Sequence, residues 1–446
     1  MTRPSTLTRR ALAALAALPL LAAPALAQAP TGRVTVLTSF SKDVTDPFKK
    51  AFEAAHPGVT LDVQNRNTNA GVKFVEETRS NNTVDLFWAS APDAFEVLKG
   101  KGLLQAYRPQ VSGIPETVGA FPIFDREGFY SGFAASGYGI MWNERYARAN
   151  RLPAPKEWID LAGPAFFDHV SIAAPSRSGT THLTIETILQ GEGWEKGWGT
   201  VKAMGGNLRQ VTERSFGVPE AVNSGQVGVG IVIDFFAFSA QASGFPVKFV
   251  YPSVTTIVPA NVAIVANAPN AAGARAFVDF LLSEKGQEVL LEPSIRRLPV
   301  NPAVYAKAPA DYPNPFTDKS LGARVKFDVD LSEKRTAAVD ALFDQLITFQ
   351  LDGLKAATKA LHEADAAIAR KDNPRARTLV GEARALIAAM PITAEEAASP
   401  AIAGAFTGAK EKGAHQAELE SAWAAFARTR YAEARAKAEE AMRLAR

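Results

Sequence analysis

The most chemically loaded stretch of the sequence is PSRSGTTHLTIETILQ, residues 175–190. Ser176, Ser178, Thr180 and Thr181 crowd around Gly179, where a β-rich run (169–174) hands over to a helical one (180–190). Free N–H groups at a helix start carry partial positive charge, and hydroxyls beside them add donors, so this cluster can cradle an anion without a lysine. A helix cap draws on the same residue types, although four hydroxyls around one glycine are more than a cap needs. His182 follows directly; it can donate to an anion or serve as a capping or supporting histidine. Arg177 and Arg214 are the nearby cations, and either can instead be a solvated charge or a partner of Glu213. Asp234 closes an apolar run, 227–233, where a carboxylate suits a sugar hydroxyl or an ammonium better than a phosphate.

Other chemistries find little support. The chain of 446 residues has no cysteine, which removes disulfides, thiolate metal sites and cysteine nucleophiles together. Its five histidines (56, 169, 182, 362, 415) show no pair at helical ligand spacing. No Gly-x-Ser-x-Gly elbow, His-Glu-x-x-His or Walker A pattern is present, and Gly228-x-Gly230 lacks the third glycine of a dinucleotide fingerprint. A secreted phosphate-ester hydrolase would need such a centre, so the expectation is a binding protein with no catalytic residues, no cofactor and no metal.

The elements that must position these residues read as α/β. Strands are expected at 33–38, 59–64, 84–89, 169–174, 227–233 and 262–266. Helices are expected at 46–56, 70–80, 180–190, 271–282 and 283–293. The loops after the first and third strands, Ser39-Phe40-Ser41 and Ser90-Ala91-Pro92, are small and polar apart from Phe40. They occupy the carboxyl-end position where open α/β sheets bind ligands. From about 331 the chain is Ala-rich and helical in period. Residues 361–388 and 419–446 align at an offset of 58, each with a short break (372–374; 429–431), which predicts two similar helix–turn–helix units.

The N-terminus carries Arg3, Arg9 and Arg10, an apolar run from Ala11, and Ala25-Leu26-Ala27. This is the pattern of a secretory leader cleaved after Ala27; Thr8-Arg9-Arg10 also fits twin-arginine export. Without its three arginines the 49 Lys and Arg become 46, equal to the 46 Asp and Glu, so nucleic acid loses its electrostatic footprint. A lipoprotein would need a cysteine at the cleavage point.

With residues 175–190 and Gly193-Trp-Glu-Lys-Gly-Trp198, the sequence resembles the periplasmic solute-binding proteins of ABC importers. The narrower likeness is to the two-lobed (type 2) group that binds ferric iron, phosphoglycerate, hexose phosphates or 2-aminoethylphosphonate. Residues 213–219 (ERSFGVP), 228–236 (GVGIVIDFF) and 341–348 (ALFDQLIT) strengthen it, and it covers about 31–355. The resemblance implies a first lobe from 28–135 and 261–355, a second from 136–260, and a helical extension, 356–446, outside the common core. The crossings are expected near 133–138 and 259–263, with a ligand held in the cleft by hinge closure. It implies that Ser178, Gly179, Thr180 and Thr181 hold a phosphate, helped by Ser39, Ser41 and Ser90. His182, Arg214 and Asp234 stand beside them, and Tyr138 near the crossing faces the cleft. Iron binders of the group use a Tyr-Tyr pair where this chain has Asp234-Phe235-Phe236, which disfavours iron; a polyamine would want several carboxylates and aromatic walls. The expected ligand is a small phosphorylated or phosphonate metabolite, the expected partners are ABC importer membrane subunits, and the protein is expected to be a periplasmic monomer. Regulatory relatives that report phosphoglycerate to a membrane sensor kinase give the alternative, with the extension as docking surface or structural brace.

Overall fold

The computed structural model describes residues 30–445 apart from 120, 311, 319, 320, 323, 324 and 407–409; the expected leader, 1–27, lies outside the described residues. The chain runs β1 (Gly32–Thr38), α1 (Lys42–Ala55), β2 (Val59–Asn65), α2 (Thr68–Glu77), β3 (Leu86–Ala89) and α3 (Pro92–Gly100). Three two-residue strands follow, β4 (Leu104–Gln105), β5 (Thr117–Val118) and β6 (Phe121–Pro122), then the long β7 (Ser131–Asn143). Next come α4 (Glu144–Asn150), β8 (Val170–Ala173), α5 (Gly179–Glu192), α6 (Trp194–Gly205), β9 (Leu208–Thr212), α7 (Gly217–Asn223), β10 (Val229–Ile233), α8 (Asp234–Ala242) and β11 (Val247–Val250). The return is β12 (Ile257–Val265), α9 (Ala271–Leu282), α10 (Glu284–Val289) and β13 (Leu298–Pro299). Helices α11 (Val329–Phe343), α12 (Leu351–Arg370), α13 (Pro374–Ala388), α14 (Ala394–Ala397), α15 (Pro400–Ala405) and α16 (Lys410–Leu444) end the chain.

The strands are ordered β2-β1-β3-β12-β7-β10-β8-β9, and β7 belongs to two sections. Residues Ser131 to Gly137 pair with β12, whereas Tyr138 to Trp142 pair with β10. The first section, with β1, β2 and β3, belongs to lobe 1; the second, with β8, β9 and β11, belongs to lobe 2. One crossing therefore falls at Gly137–Tyr138. Residues 259–263 lie inside β12, where Asn261 to Ala263 pair with β3, so the return crossing comes earlier, before Ile257.

The apolar spacing explains the helix faces. Helix α1 buries Val44, Phe48 and Phe52, four apart, and this stripe carries it back to Lys42 even though Pro47 removes a hydrogen-bond donor. Helix α10 ends at Val289 rather than running to Pro293. Lobe 1 has its own core around Val36, Phe48, Trp88, Phe133 and Phe277. The main core of lobe 2 is shared: Leu183, Trp198 and Met204 pack with Val339 and Leu342 of α11 and with Leu361, Leu379 and Tyr431 of the extension, so α11, expected within lobe 1, has its apolar face in lobe 2. Alanines at 357, 364, 376, 383, 427, 434 and 438 are buried; small side chains let α12, α13 and α16 approach closely.

The internal repeat folds only half as expected. In the first copy α12 stops at Arg370, and Asn373 caps α13 by accepting from the Ala376 N–H, with Pro374 at its first position. In the second copy α16 runs unbroken through Thr429-Arg430-Tyr431. No proline interrupts it there, and Tyr431 is buried with its hydroxyl donating to the Leu346 carbonyl, 2.7 Å away.

Candidate functional site

Three helix starts converge on the seam between the lobes. A Cβ built on Gly179, at the start of α5, would lie 2.7 Å from the Ala91 Cβ ahead of α3 and 3.3 Å from Thr68 at the start of α2. Only glycine permits that approach, so the lobes are in contact here. Beside it, Asn69 donates to the Ser176 carbonyl (2.9 Å), and the Arg214 Nη2 reaches the Asn65 Oδ1 (3.0 Å) and the Ser39 carbonyl (3.4 Å). These bonds join lobe 1 to lobe 2 directly: the cleft is closed.

Behind the seam lies Arg297, just ahead of β13 and fully buried. Its guanidinium sits between the rings of Phe40 from lobe 1 (4.4 Å) and Phe235 from lobe 2 (3.7 Å), the contact expected of a cation on aromatic faces. Nη1 donates to the Ser90 Oγ at 2.8 Å, while Nε and Nη2 have no hydrogen-bond partner. The Tyr138 and Ser136 hydroxyls, two apart on β7 and so on one face, are likewise buried without partners, as is the Asp93 Oδ1. Buried polar groups are normally satisfied, and an unpaired guanidinium is among the costliest to leave unsatisfied. Burial lowers the Arg297 pKa to about 9, with Asp234 opposing. Burial, then Asp93 and Asp234, raise that of the Tyr138 phenol well above its ordinary value. The group is thus a neutral phenol and a buried cation with unspent donors, complementary to an anion.

Asp234 is structural as well as electrostatic. Its Oδ2 accepts from the Gly137 N–H (2.7 Å) and the Tyr251 hydroxyl (2.7 Å), and its Oδ1 from the Phe235 N–H (2.7 Å). Gly137 has no room for a side chain, since a Cβ would meet Ile257 and Tyr251 at 2.7 Å. Burial raises the Asp234 pKa to about 6 against these hydrogen bonds and Arg297.

The expected residues divide accordingly. Ser90, Tyr138 and Asp234 surround Arg297. Gly179 touches Ala91, and Arg214 bridges the seam. The Ser178 Oγ accepts from the Thr181 N–H (3.2 Å) and the Thr181 hydroxyl (3.1 Å), so it serves as the cap of α5; the Thr180 carbonyl accepts from the Thr184 hydroxyl (2.9 Å). His182 is fully buried and turned to α11, with Nδ1 2.9 Å from the Asp340 Oδ1 and Nε2 3.2 Å from the Ser332 Oγ. It reaches lobe 1 as well, 3.6 Å from the Asp93 Oδ2. Burial lowers the His182 pKa, but Asp340, Asp93 and Glu186 outweigh it and raise it to about 9, which favours the cation, the form that donates from both nitrogens. Ser41 lies apart, in a groove of about 360 Å³ shared with Phe216, Phe236 and Ser294. Arg177 pairs with Glu213 at the surface.

Arg297, Asp93 and Ser136 are missing from the expected set. Arg297 had one available signal, a cation heading the buried run Leu298-Pro299-Val300. Phe40, the exception in an otherwise polar loop, turns out to be a wall of the cation's cage.

Comparison with known proteins agrees with this architecture. Residues 81–320 match the family described as bacterial extracellular solute-binding protein. The phosphoglycerate transport regulatory protein PgtC of Salmonella typhimurium is 31% identical over 371 residues, 82% of this chain and 88% of the relative. Among solved structures, the periplasmic binding protein AfuA of Actinobacillus pleuropneumoniae, with fructose-6-phosphate bound, superposes with a TM-score of 0.63 at 22% identity, covering 71% of this chain and 98% of its own. Iron-bound HitA of Pseudomonas aeruginosa gives 0.58 at 15%, covering 70% and 98%. No helix among the described residues is long and apolar enough to cross a membrane. The fold is that of the two-lobed type 2 periplasmic binding proteins with a helical region added at the C-terminus, and the chain belongs to the bacterial extracellular solute-binding protein family.

Proposed function

We propose that this protein is the periplasmic substrate-binding component of an ABC import system, capturing a small phosphorylated or phosphonate organic solute between its lobes by hinge closure. The observation that carries the reading is Arg297: a fully buried cation with two unspent donors, caged by one aromatic ring from each lobe. An anion bound there receives charge-assisted bonds in a water-excluded site, where they are strongest. Ser90, Ser136 and Tyr138 supply hydroxyls, and the converging starts of α3 and α5 add favourable dipoles. Asp93, whose pKa burial raises, presents its free oxygen to a hydroxyl or ammonium on the same ligand. By the family resemblance, Phe235 and Phe236 take the place of the Tyr-Tyr pair that iron binders of the group use, and phenyl rings offer no phenolate oxygen. The relatives named for phosphoglycerate and fructose-6-phosphate support the ligand class. Export by a leader cleaved after Ala27, and docking to importer membrane subunits, complete the proposal.

The test is a thermal-shift screen of residues 28–446 against 3-phosphoglycerate, phosphoenolpyruvate, a hexose phosphate, 2-aminoethylphosphonate, Fe(III) and spermidine. A ligand of the native state at a hundredfold excess over its dissociation constant adds about 2.7 kcal/mol of apparent stability. A shift with iron or spermidine and with no phosphate or phosphonate would sink the ligand class and leave the fold standing.

One observation favours a second reading, a ligand-sensing regulator that reports to a membrane sensor kinase. The relative named as regulatory aligns over 371 residues, more than precede the extension, so the likeness runs into α12. Uptake of labelled 3-phosphoglycerate in cells lacking this protein, with the importer subunits expressed constitutively, separates the two. Lost uptake means a transport component; retained uptake means a regulator.

A further inference from the structure

Helix α11 lies against both lobes and leads into the extension. It is pinned to lobe 2 by Arg335, whose Nε and Nη2 donate to the two carboxylate oxygens of Glu186 on α5, each at 2.7 Å, both side chains buried. Ser332, Thr336 and Asp340 are spaced four apart and so share one face of α11. That face wraps the His182 ring, with Nδ1 on Asp340 and Nε2 3.2 Å from Ser332 and 3.4 Å from Thr336. Lobe 1 arrives at the same place with two side chains. Asn69, in the first turn of α2, donates to the Asp340 Oδ2 at 3.3 Å and to the Ser176 carbonyl at 2.9 Å. Asp93, in the first turn of α3, places its Oδ2 3.6 Å from the His182 Nε2. One carboxylate oxygen of Asp340 thus serves lobe 2 and the other serves lobe 1.

The far side of α11 is packed on lobe 2. Its apolar face shares the lobe 2 core. The extension is tied to the same lobe by the Lys202 Nζ on the Ala389 carbonyl (2.7 Å), the Trp194 Nε1 on the Ile392 carbonyl (3.1 Å) and the His362 Nε2 on Asn207 (3.0 Å). Opening the cleft must therefore part Asn69 and Asp93 from Asp340 and His182 while leaving α11 where it is.

We propose that Asp340 is a latch: a positioning residue that touches no ligand but sets the closed geometry, with α11 as the bar on which lobe 1 closes. Lobe 1 then swings relative to a rigid body made of lobe 2, α11 and the extension. The consequence for ligand affinity rests on the interlobe cleft being the binding site; the consequence for closure does not. Losing a hydrogen bond to a charged group lowers the closed-to-open ratio about tenfold, and ligand affinity falls by the closed fraction lost.

The chain has no cysteine, so spin labels at Lys50→Cys on lobe 1 and Glu220→Cys on lobe 2 are the only thiol adducts. Interlobe distance distributions are then measured by pulsed electron resonance, without ligand and with 3-phosphoglycerate. The expected result is a closed population in ligand-free protein that falls about tenfold relative to the open one in both Asn69→Ala and Asp340→Asn. Asn69 is a surface residue at a helix start, so its variant keeps the reading clear of any folding defect in Asp340→Asn. A ligand-free protein with no closed population, or variants that keep its ratio, overturns the latch. Failure of 3-phosphoglycerate to close the unmutated protein counts against the proposed ligand alone.

Discussion

The start of α5 and the cage around Arg297 sit a residue apart across the β3–α3 loop, since Ala91 touches the first and Ser90 the second. Both are rich in donors, yet they differ in what they have left to give. At α5 the Ser178 Oγ is committed to Thr181 and the His182 nitrogens are committed to α11. Around Arg297 two guanidinium nitrogens and the Tyr138 hydroxyl are uncommitted and shielded from water. The lesson is that composition marks where polar groups gather, whereas binding capacity is what remains after the fold has used its share.

Replacing the cation tests this difference most severely. Arg297→Met should weaken 3-phosphoglycerate or 2-aminoethylphosphonate binding about a thousandfold, the worth of two charge-assisted bonds, as read by titration calorimetry. The ligand-free variant should keep or gain thermal stability, because a buried cation with unused donors gives way to a similar apolar chain. Unchanged affinity would move the anion seat away from the cage.

His182 gives the next effect. Its pKa is raised from 6.5 to about 9 by Asp340, Asp93 and Glu186 against burial. The folded state holds that proton more tightly, so the stability it contributes is complete below pH 6.5 and lost as pH rises through about 9. At most about 3 kcal/mol is at stake. The unfolding free-energy gap between the protein and His182→Gln, followed by urea titration, should close across that window; a gap independent of pH would mean that the ring is neutral.

Two smaller effects sharpen the contrast at α5. Ser178→Ala should cost about 1 kcal/mol of stability as a lost helix cap, visible as a lower urea midpoint, with affinity within a few-fold. A loss of affinity comparable with that of Arg297→Met would return the anion to the α5 start. Arg214→Gln removes a half-exposed bridge to Asn65 and should weaken binding by only about threefold, as partly screened contacts do.

Much of the fold was legible in the chain because its causes are local. Strand and helix periods, the small polar loops after strands, and the Asn-Pro break before α13 depend on neighbours within a few residues; the strand ends made Ser90 and Asp234 candidates, and Tyr138 was a candidate from its place near the expected crossing. The likeness over 31–355 supplied the two lobes. The expected break at 429–431 failed because an alignment carried it there without the residues that stop a helix, and because Tyr431 is held by a carbonyl 85 positions away.

What only the tertiary structure decided is which polar groups are spent. Arg297 meets Ser90 across 207 positions, and His182 meets Asp340 across 158. Neither pairing leaves a periodic or compositional trace. By itself the sequence determined the elements and the strand-end loops, since these follow from backbone preference and burial along one stretch, while the class of protein came from its resemblance to a known family. Desolvation of a cation, and the choice between capping a helix and meeting a ligand, depend on surfaces that distant segments bring together, and those exist only once the lobes have closed.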